Sequence, residues 1–193
     1  MMWSRNLICK AFVIMLLSTN SVMGRYIAVK VGLYDFTSEV SRDFYSTTPL
    51  LLVGTNIFEM ARLEINFSAG MAYNKISYSD SKHTLNMYPA FVTMVYNLPN
   101  VGSRVQPYFG SGLGFLAKFD KNEMLPNPHI NYTYGYHILA GLKTHLKKRY
   151  SIAFTMQYNS FTPSNTESIN VSGVIHTLEL RYNLGKLLKT TNK

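Results

Sequence analysis

Along Arg62–Asn74 the chain alternates strictly. Leu63, Ile65, Phe67, Ala69, Met71 and Tyr73 take every second position, with Arg62, Glu64, Asn66, Ser68, Gly70 and Ala72 between them. A β-strand sends successive side chains to opposite faces, so this stretch has one apolar face and one polar or small face. Thirteen residues (62–74) is long for a soluble strand, which averages about 5–6. It suits a tilted strand crossing a bilayer, which needs roughly 9–11.

The same pattern predicts eight strands: 26–35, 50–59, 62–74, 85–97, 105–119, 132–143, 150–159 and 174–184. The second alternates weakly, and the fourth is apolar on both faces in places. Pro89 inside the fourth predicts a bulge or local irregularity, because proline cannot donate to the ladder. The connections alternate long and short, with long loops expected at 36–49, 75–84, 120–130 and 160–172. No helical segment is expected between strands, so every neighbouring pair can be antiparallel. An even number of strands with short turns at one end and long loops at the other is the pattern of a transmembrane barrel.

The first 24 residues read as an export signal. Arg5 and Lys10 precede a short apolar run, Ala11–Leu17, and the small-residue stretch Ser18–Gly24 ends at a cleavage position after Gly24. The run is well short of the roughly 20 residues of a spanning helix. The expected organisation is a signal peptide at 1–24, a barrel at 25–185 and a basic tail at 186–193. The single cysteine, Cys9, falls within the signal, so the mature chain would have no disulfide.

The signal holds two of the 19 basic residues and none of the 10 acidic ones, leaving a mature charge of +7 (17 − 10). An exported chain has no access to nucleic acid, so anionic lipid headgroups and lipopolysaccharide are the expected partners of this excess. Charged residues make up 15% of the chain, below the roughly 25% usual in soluble domains.

Alternation does not say which face is inside; a lipocalin-like barrel would bury the apolar one around a ligand. Three features favour the inverted arrangement. Gly32, Gly70, Gly110, Gly112, Gly114, Gly135 and Gly141 all fall on the polar face, where a narrow lumen needs room. Tyr73, Tyr132, Tyr134, Tyr150, Tyr158 and Tyr182 fall on the apolar face near strand ends, as rings at two membrane interfaces would. Lys30, Glu64, Lys143, Glu179 and Arg181 share the polar face at compatible heights and are expected to pair in the lumen as a plug.

The Tyr88–Pro89 strand leading into PYFGSGLGF (Pro107–Phe115), the AGLK block (Ala140–Lys143) and the closing HTLELRYNL (His176–Leu184) resemble the small eight-stranded bacterial outer-membrane barrels of the opacity-protein and surface-antigen type. The resemblance spans the mature chain. It implies an all-β, eight-stranded antiparallel up-and-down transmembrane barrel in a Gram-negative outer membrane, periplasmic termini, surface-exposed loops and insertion by the barrel assembly machinery; it does not imply a catalytic site. Members often end on an aromatic residue, whereas this chain continues as GKLLKTTNK after Leu184.

The expected function is a non-enzymatic surface protein, an adhesin, antigen or structural barrel, with loops that contact a host-cell surface receptor. Arg42, Phe44, Tyr45, Tyr78, Lys82 and His129 are the candidate contacts. The alternatives are a lipid-modifying enzyme or a narrow pore. His83, His129, His137, His145 and His176 are scattered, form no local cluster with serine and an acid, and have no metal-ligand spacing, so no cofactor is expected.

Overall fold

In the computed structural model, residues 26–78, 81–102, 104–122, 129–147, 149–162 and 170–184 are described. The expected signal peptide and basic tail lie outside these residues. Eight antiparallel strands close in sequence order, β1-β2-β3-β4-β5-β6-β7-β8, and β1 pairs with β8. They are β1 (Tyr26–Phe36), β2 (Thr48–Met60), β3 (Leu63–Tyr78), β4 (Ser81–Asn97), β5 (Val105–Asn122), β6 (His129–Lys147), β7 (Tyr150–Phe161) and β8 (Gly173–Asn183). Closure leaves no open sheet edge through the body of the barrel.

The alternation sorts as the inverted arrangement requires. On β1, Ile27, Val29, Val31 and Leu33 are exposed on the outside, while Tyr26, Ala28 and Tyr34 are buried within. On β3, Glu64, Asn66, Ser68 and Ala72 are buried, and Met71 and Tyr73 point outward. The weak alternation of β2 has two causes: Leu50 and Leu52 are apolar residues that face inward, and the register with β3 shifts between Asn56 and Phe58, so consecutive Ile57 and Phe58 both face outward. Bulges re-aim side chains in this way. Around Pro89 the β3–β4 pairing passes from Ala69↔Ala90 to Ala72↔Met87 without a change of register, so proline interrupts the ladder but makes no bulge.

The connections differ from expectation. The segment taken as a wholly irregular loop at 36–49 carries a short helix, α1 (Glu39–Tyr45). The expected long loop at 75–84 is mostly strand, since Lys75↔Thr84 through Tyr78↔Ser81 are paired. The expected loop at 120–130 is shortened from both sides, with His83↔Asn122 and Asp120↔His129 in register. Polar composition therefore did not mark loss of strand here, since the ladder continues through residues that show no apolar alternation.

These extensions make the loop end uneven. Strands β3–β6 rise as a wall, whereas β7 ends at Phe161 opposite Gly135 and β8 begins at Gly173 opposite Phe36. On the low side, residues 170–172 are tied to the end of β1, the following turn and α1. Ser41 Oγ donates to Asn170 O (2.5 Å), Tyr34 Oη to Val171 O (2.6 Å) and Thr37 N–H to Ser172 O (3.0 Å). Asn74 on β3 donates to Tyr45 O (2.6 Å), fixing the end of α1.

Candidate functional site

The lumen is filled in two layers. Nearer the termini lies a layer of charge, built from strand ends that closure brings together. Register sets Lys30 directly opposite Glu179, with Nζ 3.7 Å from Oε2. Arg181, two residues further along β8, turns back on Glu179 through Nε–H to Oε1 (2.7 Å) and Nη2–H to Oε2 (3.2 Å). Its Nη1 lies 3.6 Å from Glu64 Oε2. Lys143 Nζ donates to Glu64 Oε1 (3.3 Å) from the far side of the barrel. All five lumenal charges named from sequence thus form one network, with Glu179 only 1% exposed. Charges taken out of water are tolerated only when paired and hydrogen-bonded.

Sequence reading missed the neutral members of this layer. Asn97 bridges the Glu64–Lys143 pair, donating to Glu64 Oε1 (2.7 Å) and accepting from Lys143 (3.1 Å). The Arg181 guanidinium sits over the rings of Tyr26 (4.7 Å to the centroid) and Tyr108 (5.8 Å), which shield it from water. Tyr108 Oη pairs with Thr155 Oγ1 (2.6 Å). The parity of these residues placed them in the lumen; their partners follow only from closure across the barrel.

Towards the loops the lumen turns apolar. Leu50, Leu52, Met87, Phe91, Leu116 and Ile175 are all buried in one cluster with Tyr34 and Tyr45. The signal was present as the two-faced apolarity of the second and fourth strands. Between the layers, His137 Nε2 pairs with Thr93 Oγ1 (2.9 Å), and its ring meets Phe91 edge-on at 5.2 Å. An eight-stranded barrel is just wide enough for side chains, and here two unlike layers occupy it. A bilayer containing the protein should therefore show no steady single-channel conductance. Glu179→Gln should not raise it, because the apolar layer stays in place. Steady ion flow through the wild type would contradict this filling.

Of the six loop contact candidates, Arg42 is exposed on α1. Tyr45 is a correction: it is buried, its ring 5.6 Å from Phe36 and its hydroxyl 3.5 Å from Lys118 Nζ, so it anchors the helix instead of facing a partner. Amphipathic residues at a helix end are as suited to pinning a loop as to binding. The side chains of Phe44, Tyr78, Lys82 and His129 lie outside those described.

On the exterior, His176 Nε2 is 3.8 Å from Asp35 Oδ2, and Thr47 Oγ1 donates to Asp35 Oδ1 (2.6 Å). Among the described residues no hydroxyl is hydrogen-bonded to His176, which nucleophilic catalysis would need. Among the described residues no three His, Cys, Asp or Glu side chains converge as for a metal.

An apolar exterior around a lumen filled with paired charge defines a transmembrane β-barrel, in which lipid replaces water on the outside. Comparison with solved structures gives the same class. The fold is similar to that of Neisserial surface protein A, with a TM-score of 0.63 at 13% identity, covering 82% of this chain and 96% of that one. It is similar to the outer membrane protein OprG from Pseudomonas aeruginosa (TM-score 0.60, 12% identity, 82% and 95% covered). It is also similar to Ail, the attachment invasion locus protein of Yersinia pestis, in complex with the heparin analogue sucrose octasulfate (TM-score 0.51, 9% identity, 82% and 94% covered). The chain therefore has the fold of the small eight-stranded outer-membrane barrels. No protein-family model and no curated protein matches its sequence.

Proposed function

We propose that this protein is a non-enzymatic barrel of the bacterial outer membrane, with periplasmic termini, whose loops recognise a partner on a host-cell surface. The observation that carries the reading is the pairing of a filled lumen with a braced loop end. A sealed lumen leaves transport little to do, while residues 170–172, tied to α1 by Ser41, to β1 by Tyr34 and to the turn between them by Thr37, hold the low side of the rim in a fixed shape. Rigid scaffolds with shaped loops are the usual platform for recognition. Val40, Arg42 and Asp43 on α1 are exposed. One protein of the same fold is an attachment invasion locus protein solved with a heparin analogue, which gives recognition on this scaffold a precedent.

The test displays the barrel on a non-adherent bacterium beside a version with its long connections shortened, both verified as folded by heat-dependent electrophoretic mobility. Host-cell binding by the first that vanishes in the second is expected. Equal, negligible binding by both would remove the adhesin reading and leave a structural or antigenic barrel.

A further inference from the structure

The basic excess of the chain is not spread over the barrel. The segments attached at the terminus end (residue 25, 59–63, 98–104, 144–150 and 184–193) carry nine basic residues and one acidic. Those of the loop end (37–47, 75–84, 118–131 and 162–172) carry five basic residues and six acidic. The lumenal charges are answered within their own network, so they do not offset this asymmetry. Arg62, Arg104 and Arg149 are exposed at the terminus end, and among the described residues none of them meets a carboxylate.

We propose that the terminus end docks anionic phospholipid of the periplasmic leaflet, with Arg149 as the fixed residue that takes a headgroup phosphate. The inference rests on the orientation given under the proposed function, and it assigns the basic excess to the leaflet opposite lipopolysaccharide.

Three observations select this occupant. The first is reach. Only Ala61 and Arg62 join β2 to β3, and only Lys148 and Arg149 join β6 to β7. Turns this short keep their charge beside the end of the apolar belt, where Met60, Leu146 and Tyr150 are exposed. Headgroup phosphates lie at that depth, and each basic side chain beside an anionic surface adds to the attraction. The second is aim. Arg149 Nη1–H donates to Tyr182 Oη (3.2 Å), the Tyr182 ring lies 5.2 Å from that of Tyr150, and Asn183 N–H donates to Arg149 O (2.8 Å). Turn and guanidinium are thus held against the β7–β8 pair on its lipid-facing side. The third is chemistry. A phenol hydroxyl leaves the guanidinium charge uncancelled and most of its N–H donors open, and a phosphate oxygen pair matches both.

The only tryptophan, Trp3, falls within the expected signal, so introduced tryptophans can be read singly. Leu146→Trp reports on the terminus end and Leu33→Trp on the other end of the belt; both positions are exposed. Each barrel is folded into phosphatidylcholine vesicles holding a minority of brominated phosphatidylglycerol or of brominated phosphatidylcholine, which quench on contact. At low salt, Leu146→Trp should be quenched at least about twofold more by the first than by the second. Leu33→Trp should be quenched equally by both. Salt should shrink the preference, because exposed charges are screened. Adding Arg62→Gln/Arg104→Gln/Arg149→Gln should remove most of it, and Tyr182→Phe, which keeps the ring but releases Arg149, should weaken it. Arg149→Gln alone serves if the triple variant does not fold; it too should weaken the preference. Equal quenching of Leu146→Trp by both lipids, or a preference undiminished without the arginines, would overturn the inference while leaving the membrane reading intact. Equal quenching joined to arginine-dependent sedimentation with isolated cell-wall sacculi would overturn it in favour of an acidic wall polymer. Labelling of Val101→Cys on intact cells by an impermeant maleimide would overturn the periplasmic placement of this end. Failure of both brominated lipids to quench either tryptophan would overturn the membrane reading and the inference together.

Discussion

Replacing Glu179 by alanine is expected to be the most damaging single change inside the barrel, costing about 3–5 kcal/mol. Glu179 accepts two hydrogen bonds from Arg181 and faces Lys30 across the β1–β8 seam. Its removal leaves a buried guanidinium with only the more distant Glu64 and two aromatic rings for compensation. Losing one partner of a buried pair is worse than losing both. A double variant, Glu179→Leu with Arg181→Met, should therefore recover much of the loss. The measurement is the urea or thermal midpoint of the lipid-folded protein. A Glu179→Ala variant as stable as the wild type would show that water solvates this layer. Because the network straddles the seam that closes the barrel, the damage should appear as failure to close, not as local loosening.

The second large effect is expected from a change of a single methyl group. Gly70 on β3 faces the lumen against β2, and a Cβ built there meets Leu51 O and lies 2.7 Å from Leu52 Cα. Both obstacles are backbone, so Gly70→Ala cannot be relieved by turning a side chain; the two strands must part. Small-to-large changes in packed interiors cost about 1–3 kcal/mol when side chains can adjust, and this site offers no such adjustment. Little folded, heat-modifiable protein should be recovered. Gly54→Ala on β2 is the contrast, since its nearest contacts are at 3.0–3.5 Å and one is the flexible end of Lys30. Gly54→Ala should fold in nearly normal yield. Equal recovery of the two variants would contradict the close approach at Gly70.

The sequence made the barrel legible because lipid on the outside and side chains on the inside impose a period of two on every crossing strand. The Arg62–Asn74 stretch shows it without exception, and the lumenal parity of Lys30, Glu64, Lys143, Glu179 and Arg181 followed from it. What stayed hidden depended on context beyond the strand. Tyr45 has the composition of a binding residue and the position of an anchor, which only the approach of Phe36 and Lys118 decides. The upper parts of β3–β6 were read as loops because residues such as Ser77, Ser81 and Lys82 break the alternation of apolar and polar types, while the backbone pairing continues through them. The apolar upper lumen was visible as doubled apolarity in β4, where Leu85, Met87 and Phe91 face inward and Val92, Met94 and Tyr96 face outward. Nothing in one strand says that its inward residues meet those of β2, β5 and β8.

The central claim is that the apolar face is outside and faces lipid. The native cysteine falls within the expected export signal, so single cysteines can be placed at will in the barrel. Spin labels at outward Val31, Leu113 and Phe154 and at inward Ser68 and Thr155, in lipid-reconstituted protein, test it directly by collision with oxygen and with a water-soluble nickel complex. Oxygen should reach the three outward labels far more than the nickel complex does, and the inward labels should be reached poorly by both. Outward labels relaxed mainly by the nickel complex would place that face in water and contradict the account.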